Sequence, residues 1–88
     1  MIDPVQLPAQ RVRSKGQATL QPDGLAEFPA TIRDISLSEI CVLAPDGVSP
    51  GTRVQIHTHG HEARGVVRTC QPEAGQFYIG IALDPPAA

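Results

Sequence analysis

Apolar and polar residues alternate along several short segments of the chain, and a period of two is typical of β-strands. In the clearest segment, QFYIGIALD, every second residue is apolar: Phe77, Ile79, Ile81 and Leu83. Gly80 lies on the opposite face, where the missing side chain leaves room for another segment or a ligand to approach closely. This segment is predicted to be a strand with one fully apolar face.

Five further segments extend this pattern. In GTRVQIHTH, Val54 and Ile56 share a face, and HEARGVVRTCQ is predicted to be the returning strand of a hairpin that turns at Gly60. The segments GQATL, AEFPATIRD and ICVLAP supply the remaining strands. No segment has the period and length of a helix that could connect parallel strands. We therefore predict an all-β fold, a small antiparallel barrel of about six strands, because closure leaves no exposed sheet edge.

A chain of 88 residues corresponds to one domain. We expect a flexible N-terminus over residues 1–10, a barrel domain over residues 11–84 and a C-terminal tail over residues 85–88. Hydrophobic residues make up 41% of the chain and aromatic residues only 3%, so the core is expected to consist of Val, Ile, Leu and Ala. Cys41 and Cys70 lie in apolar segments without C-x-x-C spacing and are expected to be buried thiols.

The chain contains no apolar run near the ~20 residues that span a bilayer, and no charged-then-apolar start typical of a secretion signal. We therefore expect a soluble cytoplasmic protein without membrane insertion. The formal net charge of -2 argues against a general DNA- or RNA-binding protein.

The basic residues are unevenly distributed. Arg11, Arg13 and Lys15 lie close together, and no acidic residue occurs between Pro4 and Pro22. A basic arm on an acidic domain favours a small anionic ligand over a long polyanion. A solvated segment with incidental charge is the alternative interpretation.

Asp34 and Ser36 stand one residue apart within an otherwise apolar region. A carboxylate can accept hydrogen bonds from the N1 and N2 donors of guanine, and an arginine can hold two phosphate oxygens or the O6/N7 edge of guanine. Asp and Ser are also ordinary turn residues, because their side chains bond their own backbone. The pair is therefore either half of a guanine-nucleotide site or a turn that joins two strands.

The order and spacing of RVRSK, ATIRDISLSEICVLAP, GTRVQI, ARGVVRT and FYIGIALD resemble those of PilZ domains, small bacterial β-barrels that bind cyclic di-GMP. The binding pattern of that family is R-x-x-x-R followed by [D/N]-x-S-x-x-G. Its five positions are occupied here by Arg11, Lys15, Asp34, Ser36 and Glu39. The resemblance implies a receptor module of second-messenger signalling, in which the arginines contact phosphates and guanines while Asp34 and Ser36 line the same surface of the barrel.

Two of these positions depart from the pattern. Lys15 can neutralise a phosphate but has no rigid fork for two guanine acceptors. Glu39 replaces a glycine; it brings a negative charge towards an anionic ligand, and it would be strained if the backbone there has a positive φ. Arg13 could compensate for Lys15, and Arg68 is a further candidate phosphate contact. The chain is thus predicted to be a cyclic di-GMP receptor, or alternatively a PilZ-like domain that has lost the nucleotide and binds a protein partner.

His57, His59 and His61 recur at a spacing of two, which on an extended chain could hold zinc or nickel. Because a turn at Gly60 would separate His61 from the other two, we favour a solvent-facing hairpin tip and predict no metal. The sequence contains no nucleophile with a local base and no glycine-rich phosphate loop before a helix. We therefore predict neither an enzyme nor a bound cofactor.

Overall fold

A computed structural model describes residues 12–13, 16–58 and 60–85, with side chains described for residues 16–58 and 60–85. Within these residues the secondary structure consists of β-strands without a helix. The strands are β1 (Val12–Arg13), β2 (Gln17–Pro22), β3 (Phe28–Ile35), β4 (Glu39–Ala44), β5 (Arg53–Thr58), β6 (His61–Glu73) and β7 (Gln76–Leu83).

Strands β2 to β7 form a closed antiparallel barrel. The order around the sheet is β3-β2-β5-β6-β7-β4, and β4 returns to pair with β3, which closes the ring. This confirms the predicted six-stranded all-β fold, including the β5–β6 hairpin with Gly60 between its strands. The two-residue strand β1 pairs with the second half of β3 and was not predicted, since the sequence indicated only a basic arm there.

The barrel interior is filled by aliphatic side chains, as the composition predicts. The larger aliphatic residues with almost no exposed surface are Leu20, Val42, Val54, Ile56, Val67, Ile79 and Ile81. Each lies on the inward-facing side of its strand, and the described residues contain no buried polar or charged side chain. A core of this kind is held together mainly by removal of apolar surface from water.

Two β-bulges interrupt the alternation, and each one changes the direction of a polar residue. The register of β3 against β4 shifts between Ile32 and Asp34, so Arg33 is the extra residue; the register of β6 against β7 shifts between Val67 and Thr69. In a regular strand Asp34 would share the inward face with Ile32, because side chains repeat every two residues. The bulge instead places Asp34 on the outer face, a role that bulges commonly have next to functional sites.

The β6–β7 hairpin turns through Ala74 and Gly75, which have φ values of 51° and 82°. Two successive positive φ values are typical of a type I′ turn, which favours Asn-Gly. Among the described residues Ala74 is the one non-glycine with a positive φ, a conformation that its Cβ disfavours.

Replacing Ala74 by asparagine is therefore expected to raise the free energy of unfolding by about 0.5–1 kcal/mol, because asparagine tolerates the left-handed region. For a domain of this size that corresponds to a rise in melting temperature of roughly 2–8 °C, measured by circular dichroism. Ala26→Asn, at an exposed position without a positive φ, is the control. An equal melting temperature for the two variants would contradict this interpretation of the turn.

Candidate ligand-binding face

A row of four residues crosses the outer face of the barrel, and we call it the central row: Asp34, Cys41, Gly80 and Thr69. Asp34 pairs with Cys41 across β3 and β4, Cys41 pairs with Gly80 across β4 and β7, and Gly80 pairs with Thr69 across β7 and β6. On the other side of Asp34, the backbone of Arg13 in β1 is its register partner. The fold thus brings the backbone of Arg13 beside the acidic residue of the predicted site.

Tyr78 bridges two strands that are not neighbours. The backbone of Tyr78, in β7, pairs with Leu43 of β4. Its hydroxyl nevertheless donates a hydrogen bond to Oδ2 of Asp34 in β3, over 3.1 Å. The ring therefore reaches across β4. The same hydroxyl neighbours the Cys41 side chain. Tyr78 and Asp34 are both partly buried, so this bond is shielded from water more than an exposed one would be.

The hydrogen bond with Cys41, partial burial and the neighbouring Asp34 together raise the pKa of Tyr78 well above its ordinary value. Each of these factors disfavours the negatively charged phenolate form of Tyr78. The Tyr78 hydroxyl consequently keeps its proton throughout the neutral range and remains a hydrogen-bond donor.

Cys41 is 6% exposed although it lies on the outer side of β4. Its neighbours in the strand, Ile40 and Val42, belong to the core cluster, whereas Cys41 does not. The prediction of a buried thiol is right for Cys41, but the thiol is buried beneath other outer-face residues and not inside the barrel. Cys70 is partly buried and packs against the core.

Ser36 holds the turn between β3 and β4. Its backbone N–H donates to the carbonyl of Glu39 over 2.8 Å, and its Oγ accepts from the backbone N–H of Glu39 over 3.1 Å. Leu37, at the tip of this turn, is 74% exposed. Ser36 therefore has the contacts of a turn residue, and Asp34 lies on the outer face at the end of the central row that adjoins β1.

Glu39 begins β4 and lies at one side of the central row. It does not have a positive φ, so no backbone strain arises from the glutamate at this position. Its side chain is partly buried, and Oε2 lies 3.6 Å from the point that a Cβ on Gly80 would occupy. The influence of Glu39 on a ligand would therefore be electrostatic and steric rather than conformational.

The missing side chain of Gly80 allows a neighbouring segment to approach closely on the outer face, as the sequence indicated. A Cβ at this position would lie 2.7 Å from Oγ1 of Thr69 and 4.0 Å from Sγ of Cys41. The space is thus occupied by neighbouring side chains of the barrel, above all by the Thr69 hydroxyl. Thr69, Gly80 and Cys41 are consequently closely packed in the central row.

Only some of the basic residues that were predicted to contact the ligand belong to the described part of the chain. Arg11 and Lys15 lie outside them, and Arg13 is described by its backbone pairing alone. Arg68 is exposed at the bulge of β6, immediately before Thr69, and therefore stands at the far end of the central row.

At the hairpin tip, His57 pairs with Glu62 and Thr58 pairs with His61, while His59 lies outside the described residues. No group of three or more His, Cys, Asp or Glu residues in the described part of the chain is placed to hold a metal ion. Nor does any helix among the described residues have the length and apolar character required to cross a membrane.

The chain belongs to the PilZ domain family, because the family model matches residues 8–88. This family consists generally of cyclic di-GMP receptors, which are binding modules and not enzymes. No curated protein sequence matches the chain.

Among solved structures, the chain is similar to the Bacillus subtilis inhibitor of motility, MotI/DgrA. The TM-score is 0.71 at 22% sequence identity, over 96% of this chain and 45% of that one. The chain therefore spans less than half the length of that protein, and the likeness establishes a shared barrel fold.

Proposed function

We propose that this domain is a cyclic di-GMP receptor whose ligand rests on the outer face over the central row. The observation that carries the proposal is the register of β1, which makes Arg13 the direct neighbour of Asp34. Arg11 and Lys15 flank that strand in sequence and would supply further positive charge. A basic segment beside a carboxylate suits a ligand that combines phosphates with guanine bases.

The roles of the residues follow from their chemistry. Arginine forks bind phosphate oxygens or the O6/N7 edge of guanine, and Lys15 contributes a point charge. Asp34 accepts from the N1 and N2 donors of the base. Ser36 fixes the turn that ends β3, and Arg68, at the far end of the central row, would contact a second phosphate. Ligand bridging between the arm and the barrel then alters the surface that the domain offers to a protein partner.

Isothermal titration calorimetry with cyclic di-GMP at moderate salt tests this function. We expect saturable binding that weakens as salt is raised, since the contacts are largely ionic. Heat changes indistinguishable from dilution up to high micromolar ligand would contradict the proposal.

Glu39 is expected to weaken the interaction without abolishing it. Its carboxylate lies beside Gly80, and repulsion from a phosphate a few ångströms away is worth roughly 1 kcal/mol in water. Glu39→Gln keeps the shape and removes the charge, so the dissociation constant should fall about fivefold. Glu62→Gln, an exposed position near the hairpin tip, is the control for a general change in net charge. An equal gain in affinity for cyclic di-GMP in both variants would mean that the location of Glu39 is irrelevant.

The alternative function is a protein-interaction module that has lost the nucleotide. Lys15 and Glu39 favour it, and Leu37 offers an exposed apolar side chain at the tip of the β3–β4 turn. This alternative predicts no cyclic di-GMP binding by the wild-type protein and none by Glu39→Gln. Binding by either protein would exclude it.

A further inference from the structure

We propose that Tyr78 is a positioning residue of the nucleotide site: it orients the Asp34 carboxylate and thereby sets the preference for guanine over bases that lack the 2-amino group. This inference rests on the proposed function and adds a residue that the binding pattern of the sequence does not contain. It is carried by the 3.1 Å hydrogen bond from the Tyr78 hydroxyl to Oδ2 of Asp34.

The fold makes this contact possible through two features. The bulge at Arg33 turns Asp34 to the outer face, and the even spacing within β7 places Tyr78 on that face beside Gly80. Because β4 separates β3 from β7, the contact cannot result from simple strand pairing. It needs a side chain as long as tyrosine, lying over the small Cys41.

The direction of the hydrogen bonds follows from the groups involved. An ionised carboxylate can only accept, so the single proton of the Tyr78 hydroxyl is committed to Asp34. The Cys41 side chain neighbours the same hydroxyl, so the Tyr78 oxygen stands between Cys41 and Asp34. The raised pKa of Tyr78 is consistent with a hydroxyl that stays protonated in this position.

A carboxylate with a fixed orientation discriminates between bases better than a carboxylate that rotates freely. The N1–H and one N2–H of guanine lie in one plane, and both bonds form well only if the carboxylate plane is aligned with the base. Tyr78 holds one oxygen and so restricts rotation about the terminal bond of Asp34. Hypoxanthine offers N1–H but has no 2-amino group, so it gains less from the alignment.

The test compares cyclic di-GMP with cyclic di-IMP, its hypoxanthine analogue, by calorimetry on the wild-type chain and on Tyr78→Phe. We expect the wild type to prefer cyclic di-GMP by about tenfold, a preference typical of one good bidentate contact. Tyr78→Phe should lose roughly five- to tenfold in affinity for cyclic di-GMP and much less for cyclic di-IMP. The preference should therefore largely disappear while the ring and its packing remain.

Thr58→Val is the matched control, because it also deletes one side-chain hydroxyl, which lies at the end of β5 away from the central row and donates to the backbone carbonyl of Gln17 over 2.9 Å. It should leave both affinities unchanged. In an Asp34→Asn background, Tyr78→Phe should have little further effect, because the group that it orients is altered. A general loss of folding would instead lower both affinities in every background and would appear in the melting temperature.

Unchanged discrimination in Tyr78→Phe, with the wild type binding cyclic di-GMP, would overturn the inference and leave the proposed function standing. Equal loss for both nucleotides would also overturn it. If the wild type binds neither nucleotide, the proposed function itself fails.

Discussion

Replacing both Arg11 and Arg13 by alanine is expected to lower the affinity for cyclic di-GMP by about a hundredfold or more. A hydrogen bond to a charged group contributes roughly 1.5–3 kcal/mol, and two such contacts would be lost. Arg13 is the register neighbour of Asp34, and Arg11 matches the first arginine of the family pattern. Calorimetry should also show a weaker salt dependence in the double variant, because fewer ionic contacts remain.

Arg53→Ala serves as the control for loss of positive charge. Arg53 is exposed on β5 and forms an ion pair with Asp84 over 2.6 Å, away from β1. Its removal should change the affinity less than about twofold, since screening limits the effect of distant exposed charges. If Arg53→Ala weakens binding as much as the double variant does, the arm has no specific role.

Replacing Gly65 by alanine is expected to lower the free energy of unfolding by about 2–3 kcal/mol, near the upper end for overpacked cores. A Cβ at Gly65 would collide with the backbone carbonyl oxygen of Ala82 and lie 2.8 Å from Cγ2 of Ile81. The carbonyl belongs to the neighbouring strand and cannot rotate away as a side chain would. Urea denaturation should show a lower midpoint with an unchanged slope.

Gly24→Ala gives the matched comparison. A Cβ at Gly24 meets no atom within 4 Å, but the residue has a φ of 78°, so its replacement tests backbone conformation alone. That cost is about 1 kcal/mol. A smaller loss of stability in Gly65→Ala than in Gly24→Ala would contradict the packing described for β6 against β7.

The strands were predictable because their inward residues are apolar at a period of two. Ile79 and Ile81 in β7, and Val54 and Ile56 in β5, are all at most 2% exposed, as the alternation indicated. The hairpin at Gly60 was also predictable, because its two strands are adjacent in sequence. Closure of the barrel was inferred from the need to remove exposed edges, and β4 does pair with β3.

The arrangement of the candidate site was less accessible to sequence reasoning. A spacing of three between the inward residues Ile32 and Ile35 is the one local trace of the bulge that turns Asp34 outward. The contact between Tyr78 and Asp34 joins residues 44 positions apart and depends on the pairing of β4 with β7. The residues of β4 and β7 do not by themselves specify that pairing. The alternation within β7 therefore predicted that Tyr78 and Gly80 share a face, but not that Asp34 lies beside them.

Amide chemical shifts, followed by two-dimensional NMR while cyclic di-GMP is added to the full chain, test the central claim most directly. The claim predicts saturable changes at Arg13, Asp34, Cys41 and Gly80, with little change at Gln21 and Gln55 on β2 and β5. Changes confined to β2 and β5, or no change at high micromolar ligand, would contradict it.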